Sequence, residues 1–143
     1  MITQDFVQEV SAPVSKVFAF VTDFRRNSEW QDGVIESSQT PDGPTAIGTR
    51  FKTVRTLFDQ KLEAGGEVTQ FEQDKMFGFQ TNSGPVKFKL TQKFESAGSG
   101  TRMTIHVEVE AGGFFKLAEG ALAGNLKKQF EEQGAKLKAL LEK

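Results

Sequence analysis

With 143 residues the chain has the length of one domain, enough to bury roughly two thirds of the surface its unfolded form exposes. Its 18 Lys plus Arg against 19 Asp plus Glu leave a formal net charge of -1 with no basic run, which argues against nucleic acid as a partner. The absence of cysteine excludes a disulfide frame, a thiolate nucleophile and a thiolate metal site, and 14 Phe with a single Trp and no Tyr predict a chemically mute interior. Asp5 and Glu9 stand where a signal peptide needs a basic start and an apolar run. No stretch approaches membrane-spanning length, so the expectation is a cytoplasmic protein without membrane insertion.

In chain order, residues 2 to 10 alternate, with Ile2, Phe6 and Val10 on one side and Thr3, Asp5 and Glu9 on the other, as a first strand would. Ser11-Ala12-Pro13 breaks it. Ser11 is the expected cap, and Pro13 the opening residue, of a short helix in which Val14, Val17, Phe18 and Val21 share a face. Asp23 is expected to end that helix and cap a second over 24–31, with Trp30 plugging the gap between two helices and the sheet.

From Val34 the period is two, and turn signals at Pro41-Asp42-Gly43-Pro44, Asp59-Gln60, Asp74-Lys75, Asn82-Ser83-Gly84-Pro85 and Ala97-Gly98-Ser99-Gly100 divide the chain into six further strands. The clearest are 86–94, with Lys87, Lys89 and Lys93 on a solvated face, and 102–109. Gly65-Gly66 inside the fourth strand predicts a bulge or bend. Gly112-Gly113 then releases a segment of helical period, 114–142, whose dry stripe is Phe115, Leu122, Leu126, Phe130, Leu137 and Leu141 and whose wet face carries Lys127, Glu131, Lys138 and Glu142. The order predicts a single α+β domain over 1–143: a seven-stranded curved antiparallel sheet wrapped around a long C-terminal helix, with two short helices after strand one.

Several local patterns, weak singly, keep their order along the whole chain. They are Val10-Ser11-Ala12-Pro13 before Val17-Phe18, Thr22-Asp23-Phe24, Glu29-Trp30 and Gly48-Thr49-Arg50-Phe51, followed by the 67–71 and 83–85 segments, Gly100-Thr101-Arg102-Met103-Thr104 and the terminal 137–142. With the element order, they resemble the polyketide cyclase/dehydrase and lipid-transport superfamily, the helix-grip fold of START domains and the major birch pollen allergen. The resemblance implies an elongated cavity between sheet and long helix. By parity, Phe77, Phe79, Phe88 and Leu90 would line it, together with Met103, Ile105 and Val107 from the last strand and Leu122, Leu126 and Phe130 from the helix. Glu119 near the mouth and Gln133 deeper would orient one polar end of an otherwise apolar ligand. Gly120, Gly124 and Gly134, each costing about 1 kcal/mol in a helix interior, favour incomplete filling.

Catalytic groups are sparse. His106, the sole histidine, is turned outward by the inward parity of Ile105 and Val107, and no carboxylate cluster has metal-binding spacing, so no catalytic residue, metal or cofactor is assigned. Arg55 shares a face with Phe51, Thr53 and Leu57, which leaves an inward arginine open, although an outward charge is the expectation. The leading reading is a carrier or sensor of an apolar small molecule, lipid-like, acyl or aromatic. The alternatives are a cyclase or dehydratase using the same pocket, and a co-chaperone-like interaction module or homodimer, for which Phe114 and Leu117 would supply an exposed patch.

Overall fold

The period-two stretches pair into one antiparallel sheet. A computed structural model describes residues 2–31, 33–57, 60–84, 86–111 and 119–142, with the side chains of Leu57, Ala111 and Glu119 outside that description. Strands β1 (Ile2–Val10), β2 (Val34–Thr40), β3 (Arg50–Leu57), β4 (Gln60–Glu72), β5 (Met76–Ser83), β6 (Val86–Ala97) and β7 (Gly100–Ala111) form a 7-stranded sheet ordered β1-β7-β6-β5-β4-β3-β2. Consecutive strands from β2 to β7 are neighbours, and β1 closes the far edge by pairing with β7. Between β1 and β2 come α1 (Val14–Val21) and a 3-10 turn (Phe24–Arg26) that runs into α2 (Asn27–Trp30). The long helix α3 (Glu119–Leu141) ends the order, giving the expected α+β, helix-grip arrangement. No helix among the described residues is long and apolar enough to cross a membrane.

Local chemistry sets the joints. The N-cap of α1 is Pro13, not Ser11, and no side chain caps it: the Pro13 carbonyl accepts from the Lys16 and Val17 amides, while the Ser11 amide donates to Glu142 Oε2 at 2.9 Å. Asp23 does cap the next turn, its Oδ1 accepting from the Arg25 amide at 3.0 Å. The register of β4 against β5 shifts between Gly65 and Gly66, the bulge foreseen from the glycine pair.

Helix α3 buries Leu122, Leu126, Phe130, Leu137 and Leu141 and exposes Lys127, Glu131, Lys138 and Glu142. It is seated on β1. Gln4 Nε2 donates to the Ala123 carbonyl at 2.9 Å, Gln8 Nε2 donates to that of Phe130 at 2.7 Å, and the Phe6 and Phe130 rings stack 4.6 Å apart. Gly134 belongs to this seat: a Cβ there would lie 2.7 Å from Gln8 Nε2, so its smallness reflects close approach and not unfilled space. Gly120 and Gly124 are exposed and face no neighbour within 4 Å, so neither says anything about filling.

Two apolar clusters result. One joins Val17, Phe18, Phe94 and Met103 to Leu137 and Leu141 at the C-terminal half of α3. The other joins Ile2, Ile105, Val107 and Leu90 to Leu122 and Leu126 at its N-terminal half. Phe114, Phe115, Leu117 and the Gly112-Gly113 joint lie outside the described residues.

Candidate functional site

The cavity follows from what faces α3 across β3 and β4. The cross-strand pairs there are Phe51 with Gly66, Thr53 with Ala64 and Arg55 with Leu62. Directly paired residues share a sheet face, so small and polar side chains sit where a packed core would carry apolar bulk on both strands. What remains is a cavity of about 130 Å³ bounded by these strands, β5, β6, α2 and the middle of α3.

Its wall is an interlocked set of phenylalanine rings. Phe24 stacks on Phe51 with centroids 4.4 Å apart, Phe79 stands edge-on to them at 5.5 and 5.1 Å, and Phe88 lies 6.1 Å beyond Phe79. Such geometries satisfy the ring quadrupoles and bring no hydrogen-bonding atom into the space.

Of the residues expected from parity, Phe77, Phe79, Phe88 and Leu90 line the cavity from the sheet, as do Leu122, Leu126 and Phe130 from the helix. Met103, Ile105 and Val107 do not. They are 0%, 1% and 1% exposed, because β7 lies beside β1 and the helix pinned to β1 presses directly onto them. Val109, further along the same strand, does reach the wall. Gln133 is not deep: it lines both the cavity and a polar outer recess of about 160 Å³. The side chain of Glu119 lies outside the described residues.

Arg55 corrects the outward expectation. It lines the cavity, sharing with Gln31, Gln129 and Gln133 the junction to the outer recess. The pairing of Arg55 with Val34, and the 2.8 Å bond from the Thr56 amide to the Gly33 carbonyl, place this end of β3 beside the chain leaving α2. The Arg55 side chain, partly exposed, makes no ion pair or hydrogen bond among the described residues, and desolvation pushes its guanidinium below its ordinary pKa. Trp30, 5% exposed, lines the same cavity, and its Nε1–H has no hydrogen-bond partner among the described residues. Phe24, Phe51, Thr53 and Trp30 were not foreseen as lining. The alternation of Phe51, Thr53 and Arg55 along β3 was the signal that could have found three of the wall's members.

Among the described residues no acid–base pair is assembled around this space. His106 lies on the outer face of the sheet, its Nδ1 2.7 Å from Asp5 Oδ1 on the neighbouring strand. Among the described residues the cavity wall holds no carboxylate, and no group of His, Asp and Glu is placed to hold a metal ion.

The family of polyketide cyclases/dehydrases and lipid-transport proteins matches residues 1–142. The chain belongs to this family. No curated protein sequence matches it. Solved structures sharing the fold include a conserved protein from Geobacillus kaustophilus, 18% identical with a TM-score of 0.81 over 99% of this chain and 95% of that one. A START superfamily protein from Mycobacterium smegmatis is 14% identical with a TM-score of 0.78, covering 98% of this chain and 97% of that one. The di-domain ARO/CYC StfQ of the steffimycin biosynthetic pathway is 15% identical with a TM-score of 0.69, over 97% of this chain and 44% of StfQ. At these identities the likeness is one of fold. Within the polyketide cyclase/dehydrase and lipid-transport family, this chain is thus a helix-grip domain with a phenylalanine-walled cavity and one partly exposed arginine at its mouth.

Proposed function

We propose that the protein binds an apolar small molecule, to carry or sense it, in the cavity between the sheet and α3. The observation that supports this reading is the wall itself: interlocked Phe24, Phe51, Phe79 and Phe88 rings around a space of about 130 Å³, near the ~150 Å³ of an engineered apolar cavity that takes up benzene. A single aromatic ring or the end of an acyl chain suits that volume, and the burial of its apolar surface supplies the driving force. Phe77, Leu90, Leu122, Leu126 and Phe130 would complete the contact, with Gln133 at the entrance. Cyclase or dehydratase chemistry, the reading nearest to the ARO/CYC half of StfQ, has less support. Among the described residues of the wall, its proton transfers would fall to Arg55, which stays charged throughout the range where proteins work.

Titration with the neutral dye N-phenyl-1-naphthylamine should give a saturable fluorescence rise. At a hundredfold excess over Kd the dye should stabilise the fold by about 2.7 kcal/mol in denaturant melts. Ala64→Phe, which inserts a ring into the wall beside Thr53, should weaken the dye about tenfold while the protein still folds. Absence of saturable binding by this dye and by a panel of fatty acids and naphthalenes, in a protein shown to be folded, would defeat the reading. Native mass spectrometry of the purified protein identifies what it retains from the cell.

A further inference from the structure

The polar end of the cavity carries a charge that nothing in the described fold answers. Arg55 is the sole charged residue among the described residues of the inner wall. Every other arginine for which an ion pair is described, Arg25, Arg26 and Arg102, is paired at the surface, where pairing contributes little. The inner one, where a partner would matter most, has none among the described residues. The outer recess is also lined by Lys128 and Glu132, one helical turn apart on α3 and of opposite charge, so the formal charges lining the two spaces sum to that of the guanidinium. Trp30, which lines the same cavity, also holds a buried donor without an acceptor among the described residues. Gln31, Gln129 and Gln133 supply amides around the junction that can turn either atom toward a ligand.

Resting on the binding function proposed above, we propose that the ligand is an amphipathic monocarboxylic acid. Its ring or acyl tail lies among the phenylalanines and its carboxylate faces the Arg55 guanidinium at the mouth. A planar guanidinium accepts a carboxylate through two parallel N–H···O bonds, and one positive charge matches one negative charge. The anion also offsets the partial desolvation of Arg55, so apolar tail and charged head stabilise the complex for separate reasons. The cavity's size limits the tail to about one ring or a short chain within the wall, with anything longer extending through the outer recess.

The test compares pairs that share a tail and differ only in the head: octanoate with 1-octanol, and 2-naphthoate with 2-naphthalenemethanol, each titrated calorimetrically at neutral pH into the wild type, Arg55→Gln and Arg55→Lys. The wild type should prefer each acid to its alcohol by roughly 10- to 100-fold. Arg55→Gln should bring that ratio to about one, chiefly through loss of affinity for the acid, and Arg55→Lys should keep part of the preference. Without ligand, Arg55→Gln should melt no lower than the wild type, since it removes a partly desolvated charge that has no partner among the described residues. Equal affinity for acid and alcohol in the wild type, or a preference that survives Arg55→Gln, overturns the carboxylate assignment and leaves apolar binding standing. If no acid and no alcohol binds, both readings fall together.

Discussion

Gly66→Ala should destabilise the protein by about 3 kcal/mol or more, lowering its melting temperature by roughly 10 °C. The reason is a contact that no side-chain rotation relieves. A Cβ built on Gly66 would overlap the Gln80 backbone carbonyl oxygen and would lie 2.6 Å from Phe51 Cζ, inside van der Waals distance of a ring that is 6% exposed. Phe51 cannot retreat freely, because Phe24 stacks on it at 4.4 Å and Phe79 stands edge-on to it at 5.1 Å. The strand must therefore separate from β5 or the aromatic wall must shift. Gly65→Ala is the internal control. Its added methyl would meet Ser83 Oγ at 3.1 Å, the Phe51 carbonyl at 3.4 Å and Asn82 Oδ1 at 4.0 Å, so it should cost under about 1 kcal/mol. Urea unfolding followed by the fluorescence of Trp30, the single tryptophan, measures both variants. Equal costs for the two glycines would show that Gly66 is not needed to seat Phe51. If the wall does shift, affinity for a neutral dye should fall in Gly66→Ala and not in Gly65→Ala.

That prediction concerns a place where the sequence was readable only in part. The glycine pair in β4 signalled a bulge, and the bulge is there, but nothing in a linear reading says which glycine a ring rests on. The strands, their hairpin order and the dry stripe of α3 were legible because period-two and period-3.6 patterns report one-sided burial directly. Parity alone could not separate a wall from a core. Met103, Ile105 and Val107 alternate inward as cleanly as Phe88 and Leu90, yet they are sealed by a helix that two glutamines of β1 hold in place. Gln4 and Gln8 look like ordinary polar positions on an edge strand until their partners on α3 are seen. Arg55 was misplaced for a related reason. A charged side chain in a twisted edge region is expected to turn outward, whereas the face of β3 that carries Phe51, Thr53 and Arg55 borders open volume. The short helices were read as elements, but the reach of Phe24 across to Phe51 depends on the 3-10 turn that Asp23 starts, which is a matter of geometry more than of pattern.

The contrast between packed and hollow ends of the molecule can itself be measured. Phe18→Ala should cost about 4 kcal/mol, against roughly 2 kcal/mol for Phe88→Ala, although the deleted atoms are the same. Phe18 is 1% exposed, edge-on to Phe71 at 5.3 Å and to Phe94 at 4.9 Å, and it ties α1 to the sheet within the cluster that also holds Met103 and Leu137. Removing its ring leaves a void enclosed by close-packed neighbours that cannot all move inward, so the loss of dispersion contacts adds to the loss of apolar burial. Phe88 already borders the cavity and is half-buried, so its truncation enlarges an existing space and forfeits mainly the transfer contribution of the ring. Given that small domains are stable by about 5–15 kcal/mol, the first change removes a large share of the total and the second leaves a protein that can be assayed. Phe88→Ala should then accept ligands with bulkier tails than the wild type does. Phe88→Ala costing as much as Phe18→Ala in urea melts would mean that the helix covers a solid interior at both ends, and the volume on which binding depends would not exist in solution.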